Sequence, residues 1–420
     1  MISSAQVQTL PQRTIRRSGS TQATVPSAAL PISINPKLAI IGGSTGFIIL
    51  IIFILMHMGT YNAALTFPLP SLSSHQPDVQ PTVVANSTNA SAALIRINQT
   101  DPSQYQSQDQ HDQWDASACS AAAMIEVINA YGHHYRLGNI LSVESAIGAI
   151  SQSQGLLSPD GIDHTAERFG FTTQTLGHPT LQQVLDVANG GRPVVINFPP
   201  QPGTIWSGGH FLVLLGGTPD SIHLADSSIV NNGNGLQYVD QSYLNKYWRG
   251  FAKIITPMPY SVVSDTPSVS VDFINQVLST YHSPAQGQGQ ALYDLGIKYG
   301  IDPTFALAFF GHESTLGTKG EATQSLSLGN LRCIGKGYED LQPSCRDNYA
   351  WFPSWRNGFE AFYRLIASDL YVGAGLVTPD QIVPRWAPPS DGNNDQAYID
   401  ALKKSVDRTK AGKADIENFN

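Results

Sequence analysis

One uncharged apolar run near the start constrains this chain more than any other feature. Leu38 to Met58 reads LAIIGGSTGFIILIIFILMHM and contains no Asp, Glu, Lys or Arg. Its length suits the roughly 20 residues that an α-helix needs to cross a bilayer. A cleaved signal peptide has a shorter apolar core nearer the N-terminus, so a single transmembrane helix over 38–58 is expected. Arg13, Arg16, Arg17 and Lys37 all precede the run. By the positive-inside rule the N-terminus then stays in the cytoplasm, and everything after residue 58 lies outside the cell membrane.

The flanks of the run differ in kind. Residues 1–37 hold no acidic residue and are rich in Ser, Thr, Gln and Pro, a composition that cannot bury a core and is expected to be a disordered cytoplasmic tail. Residues 59–107 are again Ser-, Thr-, Pro-, Asn- and Gln-rich with few charges, and are expected to form a flexible extracellular stalk. Two segments, 108–257 and 272–420, carry apolar periodicity, and 258–271 reads as the linker between them. The net charge of -8, without clustered Lys or Arg, excludes a nucleic-acid partner. With no H-E-x-x-H and no paired C-x-x-C, neither a metal nor a cofactor is expected. The oligomeric state leaves no signal.

Of three cysteines, Cys333 and Cys345 stand twelve positions apart in a Gly- and Pro-containing loop and are the suspected disulfide. Cys119 is left as a free thiol. It sits in S-A-C-S-A-A-A-M-I-E-V-I, where Ser117 can cap a helix and Cys119 falls in its first turn. There the helix dipole and unpaired N–H groups favour the thiolate. Pro193 to Phe198 reads as a buried strand, and GGHFLVLLGG as a second that begins at His210. A third, Ser221 to Ala225, ends at Asp226, so a hairpin would set His210 beside Asp226. Thiol, imidazole and carboxylate together are what covalent cleavage of an amide requires. Gln113, six residues before Cys119, can offer its amide N–H to the developing oxyanion.

Gln113 with Cys119 at a helix start, then GGHFLVLLGG, then LADSS, resembles the C39-like branch of the papain-fold cysteine peptidases over about 108–257. The resemblance implies Cys119 as nucleophile, His210 as base, Asp226 as orienting acid and Gln113 as oxyanion residue. Many members follow the cysteine with Gly-Pro, whereas Ser120-Ala121 follow it here. Members fused to transport ATPases trim leader peptides, but this chain has no G-x-x-x-x-G-K-[ST] loop, so an amide outside the cell is the expected target.

The C-terminal segment is mainly helical in pattern. Its clearest helix opens with Asp302 as N-cap and Pro303 at the first position, and runs to His312-Glu313-Ser314. Phe305, Phe309 and Glu313 fall on one face, so Glu313 is expected to close an apolar stripe, where burial raises a carboxyl pKa toward that of a general acid. HES-x-x-G, SLGNLR, WRNGFEAFYRLI and RWAPPSDGNN together resemble the lysozyme-like glucosaminidases that cut peptidoglycan glycan, over about 272–412. That resemblance implies Glu313 as catalytic acid. Tyr349, Trp351 and Trp386 are the candidates for stacking on sugar, while Glu321, Glu339, Asp340 and Asp347 remain open as a second carboxylate.

The expectation is thus an α+β papain-like cysteine peptidase domain followed by a mainly α lysozyme-like domain, held outside the cell by one N-terminal transmembrane helix. Its partners would be the glycan and peptide of peptidoglycan, and the membrane through 38–58. Two rivals stand beside it: a glycosidase whose peptidase domain cuts surface or secreted proteins, and an inactive cell-wall-binding protein.

Overall fold

A computed structural model describes residues 89–228 and 235–416. The tail 1–37, the expected span 38–58 and the first part of the expected stalk lie outside the described residues. Among those described, no helix is long and apolar enough to cross a membrane.

The first lobe is a six-stranded antiparallel sheet with helices on both faces. A short hairpin of β1 (Ile150–Ser151) and β2 (Gly155–Leu156) precedes it, followed by β3 (Phe171–Leu176), β4 (Val194–Phe198), β5 (His210–Thr218), β6 (Ser221–Ala225), β7 (Gln237–Val239) and β8 (Ala252–Pro257). The order across the sheet is β3-β8-β4-β5-β6-β7. The near-continuous apolar runs of β4 and β5 follow from burial on both faces. Val195, Val213 and Leu215 face the helices Cys119–Ala130, Leu137–Ala146 and Asp160–Arg168, while Val194, Ile196, Leu212 and Leu214 face Leu181–Asn189 and Gln241–Tyr247. Each such side chain, fully buried, contributes about 1.5–3 kcal/mol.

The expected stalk is too long at its C-terminal end. From Asn89 the chain packs on the first lobe, with Ala90, Leu94 and Tyr105 buried. Ser91 bonds through its N–H to Gly191 O at 3.1 Å and through its hydroxyl to Ala188 O at 2.8 Å. Ala90, Leu94 and Tyr105 belong to the core of the lobe and Ile97 packs against it, while hydrogen bonds from side chains and backbone fix the residues between them, so a composition that reads as a stalk makes the contacts of a strap.

The second lobe is mainly helical, with helices Val271–Thr280, Gly289–Tyr299, Pro303–Ser314, Trp355–Ala367, Pro379–Trp386 and Asp395–Lys410, and one hairpin, β9 (Ser344–Arg346) and β10 (Tyr349–Trp351). The expected linker is a packed element as well. Val262, Val263 and Val269 are buried in the helical core, Val262 N–H donates to Val377 O at 2.8 Å, and Val263 bridges Ile301. Asp265 then ties the lobes together, accepting from the His134 N–H at 2.6 Å and meeting His133 Nδ1 at 2.8 Å.

The Pro303–Ser314 helix also departs from its expected amphipathic form. Every residue from Pro303 to Gly311 is buried, so the helix runs through the centre of the lobe instead of presenting one stripe. P-T-F-A-L-A-F-F-G has no charged face, and an all-round apolar helix belongs in a core.

Candidate active sites

The helix of the candidate nucleophile begins at Cys119 itself, the first residue of Cys119–Ala130. Ala118 occupies the N-cap position without a side-chain cap, and the Ser117 hydroxyl donates back to Trp114 O at 3.4 Å. Ser117 is therefore not the cap, and the amides of the first turn are left without helical acceptors. Cys119 is free and partly exposed. His210 opens β5, paired with Phe198 of β4, and Asp226 directly follows β6. The β5–β6 pairing matches Val213 with Ala225 and so brings the two ends together. His210 Nε2 lies 2.8 Å from Asp226 Oδ1, which also accepts the Ser228 N–H at 2.9 Å. The Cys119 side chain is the other polar group that acts on His210.

The electrostatics of the three groups agree. Burial pushes the Cys119 thiol up, but His210, by hydrogen bond and charge, together with the backbone of Phe211 and Ser120, more than offsets it and leaves the thiol below its ordinary value. Burial pushes the His210 imidazole down, and Asp226 and Cys119 overcome this to hold it above its ordinary value. The Asp226 carboxyl, raised by burial and lowered more strongly by His210 and Ser228, ends below the usual range. All three directions favour a thiolate–imidazolium pair backed by a carboxylate.

Trp206, a residue with no sequence signal toward this site, stacks on the His210 ring with centroids 4.6 Å apart and planes 7° from parallel. The stack restrains the plane of the imidazole. Beneath Cys119, Ser120 donates to Glu144 Oε1 at 3.1 Å. Gln113 lies on the preceding helix Gln108–Trp114, exposed, and no hydrogen bond ties it to Cys119 or His210 among the described residues.

In the second lobe Glu313 stands one residue before the end of its helix, followed by left-handed backbone at Thr315, Leu316 and Gly317. Two consecutive non-glycine residues in that region represent local strain. It is held by Ser314, whose hydroxyl donates to Leu328 O at 2.7 Å and accepts the Gly317 N–H at 2.8 Å. Trp386 Nε1 donates to Glu313 Oε1 at 2.8 Å, and the Tyr398 hydroxyl donates to the same oxygen. Asn330 Nδ2 donates to Glu313 O at 2.7 Å, joining the SLGNLR loop to the helix end. Burial raises the Glu313 carboxyl to about 7, against the lowering effect of Tyr398 and Trp386.

Trp386 is consequently not a free sugar platform. It is buried, with its ring 5.4 Å from Phe309 and 5.8 Å from Phe362, and its indole N–H is given to Glu313. Tyr349 and Trp351 remain partly exposed on β10, but Arg332 covers the Tyr349 ring at 4.2 Å and Arg346 the Trp351 ring at 4.5 Å. Cys333 and Cys345 form a disulfide, with Cα atoms 5.3 Å apart, that ties this hairpin to the strand-like segment carrying Arg332. Asp340 is committed to Arg364 by two contacts of 2.8 Å, and Glu339 Oε2 accepts the Gly337 N–H at 2.9 Å. Neither these nor Glu321 and Asp347 hydrogen-bond to Glu313 among the described residues. Tyr398 was invisible from sequence because its partner lies 85 positions away.

No family model matches the sequence, and no curated protein matches it. Among solved structures, the peptidase domain of Streptococcus ComA, a bi-functional ABC transporter involved in quorum sensing, is similar at 16% identity and a TM-score of 0.30, covering 39% of this chain and 99% of that one. A double glycine motif protease from an AMS/PCAT transporter, in complex with leader peptide, is similar at 17% identity and a TM-score of 0.24, covering 33% of this chain and 84% of that one. A periplasmic domain of the EpsAB fusion protein of the Vibrio vulnificus type II secretion system follows at 14% identity and a TM-score of 0.20, covering 40% of this chain and 62% of that one. Likeness at this level carries no argument about activity; what the chain shows by itself is a mixed α/β fold that brings an imidazole onto a carboxylate, with a free thiol at the start of a neighbouring helix.

Proposed function

We propose that the chain is a cell-surface hydrolase of peptidoglycan with two centres, a papain-like cysteine peptidase or amidase at Cys119–His210–Asp226 and a lysozyme-like glycosidase at Glu313. The observation that carries the first centre is the line from a helix-start thiol through His210 to a carboxylate 2.8 Å beyond. In the first step His210 Nδ1 takes the thiol proton and the thiolate adds to the amide carbon. The oxyanion is met by backbone amides of the first helical turn, with Gln113 the proposed side-chain donor. His210 then gives its proton to the leaving amine, and in the second step draws a proton from the water that hydrolyses the thioester.

Support for the second centre is the geometry of Glu313 alone. With two donors on Oε1, Oε2 is the oxygen that carries the proton, and a carboxyl raised to about 7 holds that proton near neutral pH for delivery to a glycosidic oxygen. Tyr349 and Trp351 would line the sugar path. The membrane anchor at 38–58 would keep both centres near wall adjacent to the membrane.

The test is mass spectrometry of fragments that the full chain releases from purified peptidoglycan, comparing wild type with Cys119→Ala and Glu313→Gln. New peptide termini lost only with Cys119→Ala, and new reducing ends lost only with Glu313→Gln, are expected. Intact peptidoglycan together with cleavage of surface proteins would move the peptidase to a protein substrate. Binding to the wall without any cleavage would leave only the wall-binding reading.

A further inference from the structure

The strap before the first lobe reaches both halves of the cysteine site. Arg96 donates from Nε to Asp226 O at 2.6 Å and from Nη2 to Ser228 O at 3.0 Å, and the N–H of Gln99 donates to Ser227 O at 3.0 Å. Three consecutive carbonyls, beginning at the acid of the triad, are thus held by two strap residues. Gln99 also works with its side chain, accepting from the Ser227 hydroxyl at 2.9 Å and donating to Asp115 O at 2.8 Å, four positions before Cys119. Gln99 is buried, and the Ile97 N–H donates to Glu126 Oε1, on the nucleophile's own helix, at 2.8 Å.

We propose that the strap over residues 96–99 is part of the catalytic apparatus, with Arg96 and Gln99 acting as positioning residues that hold the Asp226 loop in register with the Cys119 helix. The inference rests on the Cys119–His210–Asp226 reading given above. Asp226 sits at the end of β6, where the ladder no longer restrains the backbone. A carboxylate displaced by about 1 Å loses most of a directed hydrogen bond, and the imidazolium then loses its principal support. Glu126 faces Arg96, Asp226 and His210 from the helix below, and burial pushes its carboxyl up to about 8, so near neutrality it does not compete with Asp226 for His210.

The test reads the site without any substrate. The rate of Cys119 alkylation by iodoacetamide is measured against pH on the full chain for wild type, Arg96→Ala, Arg96→Lys, Gln99→Ala and Ser91→Ala. Ser91→Ala is the control, because it loosens the strap at Ala188 without touching residues 226–228. Wild type should stay reactive well below the ordinary thiol range. Arg96→Ala and Gln99→Ala should move the acid limb upward by about one pH unit, equivalent to roughly a tenfold rate loss at fixed pH on that limb. Arg96→Lys, which keeps the charge but spans a single carbonyl, should move it less, and serves if Arg96→Ala does not fold. Ser91→Ala should not move it. An unchanged profile in Arg96→Lys and Gln99→Ala, or an equal shift in Ser91→Ala, overturns the strap's role while leaving the triad standing. An ordinary thiol profile in wild type overturns the triad, and the strap's role with it.

Discussion

Two buried carboxyls, Glu126 on the Cys119 helix and Glu144 packed against it, make the first lobe pH-sensitive in a direction that follows from their partners. Glu144 is fully buried; Oε1 accepts from Ser120, Oε2 has no partner, and burial raises the carboxyl from 4.5 to about 8. Glu126 is placed alike, with one oxygen bonded to the Ile97 N–H and the other unpartnered, and is raised to about 8. A folded value above the unfolded one means that the group's contribution to stability is complete below about 4.5 and is lost as pH climbs toward 8. Each pH unit inside that window removes about 1.4 kcal/mol per carboxyl. Cys119 works in the opposite sense, since its thiol is held below its ordinary value, so the informative quantity is the difference between a variant and wild type, from which shared groups cancel. Glu144→Gln keeps an acceptor for Ser120 and cannot ionise. Its stability relative to wild type should therefore grow with pH, by on the order of 3 kcal/mol between pH 5 and pH 7. Hydrogen exchange of peptides spanning 119–130, corrected for the intrinsic pH dependence of exchange, reads the opening of this lobe separately from the helical one. A difference between Glu144→Gln and wild type that stays flat from pH 5 to pH 8 would show that Glu144 is already ionised in the fold, and would refute the reasoning.

The remaining predictions concern the groups around each centre. Trp206→Ala removes the buried ring stacked on His210 and should cost about 3–5 kcal/mol in lobe stability while slowing Cys119 alkylation; Trp206→Phe keeps a ring and should retain most of the reactivity, and equal alkylation rates in both would show that the stack is packing alone. Tyr398→Phe deletes one donor to Glu313 and should raise its carboxyl above about 7, so the alkaline limb of glycan cleavage moves to higher pH; movement to lower pH would contradict the assigned hydrogen bond. Replacing Cys333 and Cys345 together by Ser opens a loop of 12 positions and should lower the melting temperature of the helical lobe, since closing a loop of that size stabilises by about 3 kcal/mol; calorimetry that shows no change in either lobe's transition would mean the hairpin is held without the bridge.

What was legible in the sequence is what local chemistry dictates. Asp302 accepts from the Thr304 N–H at 3.0 Å as the N-cap ahead of Pro303, as the residue types require. The glycine before His210 has φ of 78°, a turn that any side chain would strain, and it marks the start of β5 for a reader of the chain as well as for the fold. Residues that act across the fold left no such trace. Trp206 reads as one aromatic in a Gly- and Pro-rich loop, and nothing near Tyr398 points to a glutamate on another helix. The strap is hidden in the sequence for a different reason. A segment rich in Ser, Thr, Asn and Gln looks solvated because composition reports only how much apolar area a stretch can bury, and this one adds to a few core anchors a set of directed hydrogen bonds to Gly191, Ala188, Glu126 and residues 226–228. Each such bond contributes only about 0.5–1.5 kcal/mol net, and they act beside the apolar anchors Ala90, Leu94 and Tyr105. The same modest energy per bond means that losing one contact, as in Arg96→Lys, should loosen the Asp226 loop without unfolding the lobe, which is what separates a positioning role from a structural one.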